Sequence, residues 1–400
     1  MVTPPPLPDA PEDALQILTE QLDGGRVLYR SFAATNARSL YLNRNATYWK
    51  TADCMRRRLH DLYEFGWDYI TSLDTFGERV TYNKPIYRAP TTPQMLSFVA
   101  RLAVRHIRAR VAAYVYERPL WIIGVRRSGR QDLLRAPMGH FWADPFLADS
   151  YLFLEDYCLR SNKGVISVLD LGAGAVGQAP RVALERPYHL SYPFTFQFED
   201  TWYLLPETAE ANRIELYRAT EFPWRWELDR VLIDNVAAYD PTLVVRDDGW
   251  FLVASVKVYG GSPDDELHVY FADSLAGPWQ PHPANPVVSD VRRARPAGRL
   301  SHRNGQLLRY GQDSSARYGS AISISRVDVL SRTEYREVEI GRITPDWLPG
   351  ALGTHTFNSD NGIDVLDALV RPRKSLRRLL LRPRTATDCG CNRDCQREWH

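Results

Sequence analysis

The sequence predicts an all-β fold, a five-bladed β-propeller carrying a mixed and helical N-terminal extension and a basic C-terminal tail. Two observations predict it. A short motif built around one polar residue recurs as Ala143-Asp144-Pro145-Phe146, Ser191-Tyr192-Pro193-Phe194, Tyr239-Asp240-Pro241-Thr242, Ala294-Arg295-Pro296-Ala297 and, more loosely, Gly353-Thr354-His355-Thr356, at spacings of 48, 48, 55 and 60 residues. Within each unit a second strand follows a turn, as in Tyr151-Leu-Phe-Leu-Glu155, Tyr203-Leu-Leu-Pro-Glu207 and Phe251-Leu-Val-Ala-Ser255, and a third strand and a closing segment recur behind it. A four-stranded unit of this size cannot bury both faces alone, so neighbours must stack around an axis.

Residues 1–91 mix short helical and extended patterns between Pro-rich ends and hold little core of their own. Residues 92–118 read as a connecting helix, with Thr92 as N-cap, Pro93 at the first helical position and Met95, Phe98, Val99, Leu102, Ile107 and Val111 on an apolar face. Arg101, Arg105 and Arg108 line the opposite face, which is either solvated or a contact with acidic lipid or a partner. Pro119 stops the helix, and residues 119–370 form the propeller. The strand at 120–125 precedes the first unit and is expected to complete the short fifth blade, because a propeller must close its ring to hide an edge. Residues 371–400 are a basic tail that contains cysteines, with seven basic residues and no acid between Arg371 and Arg384. The tail reads as solvated and disordered, with an anionic membrane-surface contact as the alternative. Cys389, Cys391, Cys395 and His400 could close a tetrahedral zinc site but lack paired C-x-x-C knuckles, so zinc is the weaker reading there.

Composition sets the class. The 400 residues are 44% hydrophobic and 24% charged, which excludes a disordered or fibrous chain. Fifty Lys and Arg against 48 Asp and Glu leave +2, so no chain-wide field points to a nucleic-acid partner. No run of 18 apolar residues argues for a transmembrane helix, and the opening MVTPPPLPDAPEDAL lacks a secretory pattern, so a cytoplasmic location is expected. Five unevenly placed cysteines argue against a disulfide framework. No cofactor is expected.

In a propeller the first residues of the innermost strands ring one mouth of the channel, which gathers Asp144, Tyr192, Asp240, Arg295 and His355. The second strand returns to the same mouth and adds Glu155, Glu207, Ser255, Gly311 and, less securely, Asp367. Convergent carboxylates are what glycosidic chemistry uses, one to activate water or attack the anomeric carbon and one, protonated, to release the leaving oxygen. Asp144 is assigned as base or nucleophile, Glu207 as acid and Asp240 as orienting partner, with Arg295 holding the base ionised. Glu155, Arg295, His189, Tyr192, His355 and Trp142 are assigned to substrate binding, and Tyr188 and Tyr239 also lie beside the ring. The plainer alternatives are that Asp-Pro pairs are turn chemistry and that the aromatics pack blade against blade. The chain is therefore expected to bind, and to hydrolyse or transfer, a sugar of a glycan or glycolipid. Its rivals are a non-catalytic sugar-binding or scaffold module and a membrane-surface adaptor.

His140-Phe-Trp-Ala-Asp144-Pro-Phe-Leu147, Arg186-Pro-Tyr-His-Leu-Ser-Tyr-Pro193, Pro206-Glu207, Phe222-Pro-Trp224, Ala294-Arg-Pro-Ala-Gly298 and Gly353-Thr-His-Thr356 resemble the N-terminal propeller domain of plant glucosamine inositolphosphorylceramide transferases, a fold similar to glycoside hydrolase family 43. The resemblance runs from about Leu120 to Leu369 and implies a glycan, glycolipid or nucleotide-sugar ligand. In the plant proteins transfer is attributed to a separate glycosyltransferase domain, so a glycosyltransferase partner is implied here. Family 43 places a base Asp on the first blade, a pKa-setting Asp further on and an acid Glu on a later blade. Asp144 and Asp240 match the first two, whereas Arg295 stands at the fourth-blade position, so Glu207 is a substitute. Asp23-Gly-Gly-Arg-Val-Leu-Tyr-Arg-Ser31, Tyr41-Leu-Asn-Arg-Asn45 and Tyr48-Trp-Lys50 look like the linker after a bacterial formyltransferase-like domain, which implies a separate formyltransferase as a further partner.

Overall fold

The computed structural model describes residues 15–20, 27–36, 39–72, 90–172, 174, 177–258 and 260–373. The Cys389, Cys391, Cys395 and His400 group, the basic run after Arg373 and the Pro-rich start lie outside these residues.

Five four-stranded antiparallel sheets form the blades of a propeller. From the axis outwards, the first blade is His140–Ala148, Tyr151–Cys158, Lys163–Asp170 and Arg181–Leu184. The second is Ser191–Phe198, Thr201–Glu207, Arg213–Glu221 and Arg225–Asp234. The third is Ala238–Arg246, Gly249–Val256, Leu267–Ala272 and Gln280–Pro281. The fourth is Ser301–Arg303, Gln306–Asp313, Ala321–Leu330 and Tyr335–Ile343. The fifth takes its inner strands, Phe357–Asp360 and Ile363–Val370, from the end of the propeller sequence and its outer strands, Leu120–Arg127 and Arg130–Leu134, from the beginning. Leu120 pairs with Val370 and Arg127 with Ile363, so the expected ring closure through residues 120–125 holds.

Apolar layers fill the gaps between successive blades. Ile123, Val125 and Leu134 of the fifth blade pack against Leu147, Leu152 and Leu154 of the first. A larger cluster, with Phe146, Phe153, Leu204, Leu216 and Leu252, spans the first three blades. Each fully buried Leu or Phe contributes on the order of 1.5–3 kcal/mol, so the sheets are held mainly through their faces.

Three blades open with one backbone device. Asp144, Tyr192 and Asp240, each followed by proline, have φ of 49°, 47° and 53°. The pairing skips there: Ala143 faces Glu155 but Phe146 faces Phe153, and Tyr239 faces Ser255 but Thr242 faces Val253. A left-handed L-residue costs roughly 1–2 kcal/mol. The bulge re-aims the side chain, which brings these residues together at the channel.

The extension differs from the short elements expected. Leu15–Glu20 and Val27–Ala33 form a hairpin beside one long helical segment, Leu40–Ser72, which is interrupted at Gly66 with φ 77°. The hairpin joins the propeller where Phe32 N–H donates to the Ser289 carbonyl at 3.1 Å and Val291 N–H donates to the Phe32 carbonyl at 3.1 Å. The second helix, Thr92–Val115, starts one residue before the expected position. Thr91 is its cap, because its N–H bonds Gln94 Oε1 at 2.8 Å and closes a capping box, which leaves Pro93 within the first turn.

Candidate active site at the channel mouth

The bulges and the returning second strands bring Asp144, Glu155, Glu207, Asp240, Arg295, His355 and Asp367 into one buried polar cluster, each at most 8% exposed. It has two halves. In the first, Asp144 accepts from Thr356 Oγ1 at 2.6 Å and from Tyr192 N–H at 3.2 Å. His355 lies between two carboxylates, with Nδ1 2.6 Å from Asp367 Oδ2 and Nε2 3.4 Å from Asp144 Oδ1. Its ring stacks on Trp121 at 4.0 Å, and Asp367 is fixed by the N–H groups of His355 and Thr356 at 2.8 and 3.1 Å. Burial opposes the charged imidazole, but Asp367 and Asp144 outweigh it and raise the His355 pKa. Burial pushes Asp144 up to about 6, although the His355 charge pulls the other way. With both ring nitrogens facing carboxylates, an imidazolium satisfies the triad electrostatically.

In the second half Arg295 holds three carboxylates. It donates to Asp240 from Nε at 2.7 Å, to Glu207 at 3.1 Å and to Asp264 at 3.1 Å, with the rings of Tyr239 and Tyr318 5.1 and 5.2 Å from its guanidinium carbon. Gln312 adds a bond to Asp240 Oδ2 at 2.7 Å. Burial raises Glu207 well above the ordinary carboxylate value; Arg295 opposes the shift and Asp240 reinforces it. Glu155 is also raised well above that value, by burial and by the charges of Asp144, Glu207 and Asp240. The nearest ionisable partner described for it is His189, whose Nε2 is 3.6 Å from Glu155 Oε1. His189 Nδ1 accepts from Gly164 N–H at 2.9 Å, so the neutral ring carries its proton on Nε2, toward Glu155. Burial lowers the His189 pKa and keeps the ring neutral.

The structure places three of the residues assigned to binding inside the packing. Trp142 is buried among Ile123, Val125, Leu147 and Leu154, so its ring belongs to the layer between the first and fifth blades and not to the mouth. Tyr192 is fully buried and acts as a strut, its hydroxyl bonded to Thr242 Oγ1 and to Gly298 N–H, both at 2.9 Å. His355, 2% exposed with its ring nitrogens turned to Asp367 and Asp144, positions Asp144 in this arrangement. Tyr188 bonds Glu215 at 2.7 Å, on the third strand of the second blade. Sequence reasoning missed Asp264, Tyr318 and Gln312. The first two come from loops outside the repeat. Gln312 replaces Gly311 in the column because Pro296 pairs with Gly311 and the Gln312 N–H bonds the Arg295 carbonyl at 2.7 Å.

Among the described residues, Asp144, His355 and Asp367 form the group whose ligand atoms, all within 4.8 Å of one another, could hold a metal. The repeat already placed these three residues at one mouth, but no ligand spacing marked them as a metal group, because its members come from opposite ends of the propeller.

Fold and site together define a class: a five-bladed propeller with an acid-rich channel mouth. The profile described as "Glucosamine inositolphosphorylceramide transferase 1, N-terminal" matches residues 134–346, a little over half of the sequence, and the chain belongs to that family. Glucosamine inositolphosphorylceramide transferase 1 of Oryza sativa subsp. japonica is 38% identical over 209 residues, which cover 50% of this chain and 28% of the rice protein. Its counterpart in Arabidopsis thaliana is 35% identical over 209 residues, 27% of its length. The chain thus matches less than a third of these relatives. Among solved structures, a thermostable family-43 glycoside hydrolase aligns with a TM-score of 0.41 and 12% identity, over 56% of this chain and 86% of the hydrolase. The family 117 glycoside hydrolase Zg3597 of Zobellia galactanivorans aligns with a TM-score of 0.41 and 11% identity, over 62% and 90%. The family match begins at residue 134, so the N-terminal extension lies outside it.

Proposed function

We propose that the channel mouth binds a sugar residue of a glycan or glycolipid and acts on its glycosidic bond. The observation that carries this reading is the pairing of unlike carboxyls in one buried cluster: Asp144, pushed up to only about 6 and flanked by His355, with Glu155 and Glu207, both held well above the ordinary range. Asp144 is then ionised near neutral pH and takes the proton of the attacking water, while a neutral carboxyl gives its proton to the leaving oxygen. Glu207 is bonded to Arg295, which favours its ionised form, whereas the neighbour described for Glu155 is a neutral imidazole. We therefore move the donor role from Glu207 to Glu155 and keep Asp240 and Arg295 as the pair that orients the sugar. Tyr239 and Tyr318 pack their rings against the Arg295 guanidinium and hold it in place. The relatives' names bring a glucosamine-bearing glycolipid into view as the substrate class, and a separate transferase as the partner; a formyltransferase partner rests on the sequence resemblance alone.

A second reading is a non-catalytic sugar-binding module, favoured by the three ion pairs with which Arg295 engages Asp240, Glu207 and Asp264. Turnover of aryl glycosides and oligosaccharides, with sugar binding followed by calorimetry, separates the two. An enzyme loses at least about a hundredfold in turnover in Asp144→Asn and Glu155→Gln while sugar binding persists. Glu155→Gln recovers on dinitrophenyl glycosides, whose leaving group needs no proton. Binding without turnover leaves the module reading, and absence of both sinks the two together.

A further inference from the structure

The helix Thr92–Val115 is attached to the propeller on its mouth side. Its C-terminal end leads into Leu120, which pairs with Val370, and three residues before Val370 stands Asp367 of the channel cluster. Its sheltered side is a regular stripe, Phe98, Leu102, Arg105, Ala109, Ala112 and Tyr116, each half-buried. The opposite side is apolar and faces outward: Leu96, Val99, Ile107, Val111 and Tyr114 are 65%, 54%, 61%, 57% and 69% exposed. Of the arginine face read from the sequence, Arg101 and Arg108 are exposed and Arg105 is half-buried; the departure is that Met95, Val99, Ile107 and Val111 of the apolar face are exposed as well. Arg101, Arg108 and Arg110 border or interrupt the stripe, and residues 92–116 contain no acid.

The basic tail starts at the same place. Arg373 forms an antiparallel bridge with Tyr116, and Glu117 N–H bonds the Pro372 carbonyl at 2.8 Å. From there the sequence runs through Lys374, Arg377, Arg378, Arg382 and Arg384 before its next acid, Asp388. An exposed apolar stripe edged by arginines, with a second cationic segment leaving its end, is the chemistry of a helix that lies in the headgroup layer of an anionic bilayer. Apolar side chains enter the acyl boundary and the arginines reach back to lipid phosphates.

We propose that this helix docks the chain on an anionic lipid surface, with the tail as its electrostatic second signal. Such docking sets the channel mouth toward the bilayer, and, resting on the sugar-binding reading above, makes a lipid-borne sugar the ligand presented to it. The docking itself is tested without any sugar. The full chain is sedimented with phosphatidylcholine vesicles that contain or lack about 30 mol% phosphatidylserine. The expected result is at least about tenfold stronger partition onto the anionic vesicles, largely lost at about 0.5 M NaCl. Ile107→Glu with Val111→Glu, and separately Arg108→Glu with Arg110→Glu, each weaken it about tenfold or more at an unchanged thermal midpoint, since all four positions are exposed. Equal partition onto both vesicle types, or anionic binding indifferent to the Ile107 and Val111 changes, overturns the proposal. So does a self-association that those two changes dissolve, which would assign the stripe to a second copy of the chain.

Discussion

At the residue scale the mouth is an imbalance of charge. Asp144, Glu155, Glu207, Asp240, Asp264 and Asp367 surround two basic side chains, Arg295 and His355, all of them buried except the partly exposed Asp264. The consequence can be read at Asp144. Its folded pKa is raised by burial from 3.8 to about 6, so the stability it contributes is complete below pH about 4 and is lost as pH rises through about 6. Asparagine does not titrate. Replacing Asp144 by Asn sets an amide against two donors, Thr356 Oγ1 and Tyr192 N–H, a cost that does not vary with pH. The stability difference should therefore move in the variant's favour by about 3 kcal/mol between pH about 4 and about 7, read from urea unfolding at both. A flat difference would mean that Asp144 ionises as in water. Tyr192→Phe isolates the strut instead: it leaves Gly298 N–H without its partner and should destabilise the fold by about 1–3 kcal/mol in thermal unfolding, independent of pH. Much of this site was legible in the sequence because the repeat marks the inner-strand starts. What was not legible was direction. The repeat cannot say that Tyr192 turns into the packed channel while Asp144 and Asp240, on the same bulge, turn to the polar cluster.

At the scale of elements, a buried ion network fastens the long helix to the third blade. Lys50 bonds Asp265 at 2.9 Å and Glu266 at 3.0 Å, and Arg57 bonds Glu266 at 2.7 Å and Tyr29 Oη at 2.8 Å. Burial pushes Asp265 up to about 6, whereas for Glu266 the Lys50 and Arg57 charges overcome burial and hold it well below the usual range. Removing one cation leaves buried carboxylates uncompensated, at a cost of roughly 3–5 kcal/mol. Lys50→Met should therefore speed hydrogen exchange of Leu40–Ser72 roughly a hundredfold while leaving Tyr151–Cys158 unchanged. An equal acceleration in both would show that helix and propeller open as one unit. The strand pattern and the cap region of the second helix were readable because they depend on local periodicity. The docking of residues 27–72 was not, because Lys50 and Glu266 meet through tertiary contacts that no local pattern encodes.

At the scale of the whole molecule, closure holds the blades together. The apolar layers run from blade to blade, and the layer over the first blade includes Ile123, Val125 and Leu134, which reach it from the outer strands of the fifth. Those outer strands are held in place by the pairing of Leu120–Arg127 with Ile363–Val370. A chain ending at residue 356 loses that partner strand and also Asp367, which fixes His355 and through it Asp144. It would expose a strand edge and uncover the fully buried Ile123 and its neighbours. Because every blade relies on the next for one of its faces, the damage should spread round the ring. The truncated chain should lose its near-ultraviolet circular dichroism and any cooperative melt, and show no four-bladed remnant. A sharp transition in that chain would mean instead that four blades form an independent unit and that the fifth serves to complete the mouth.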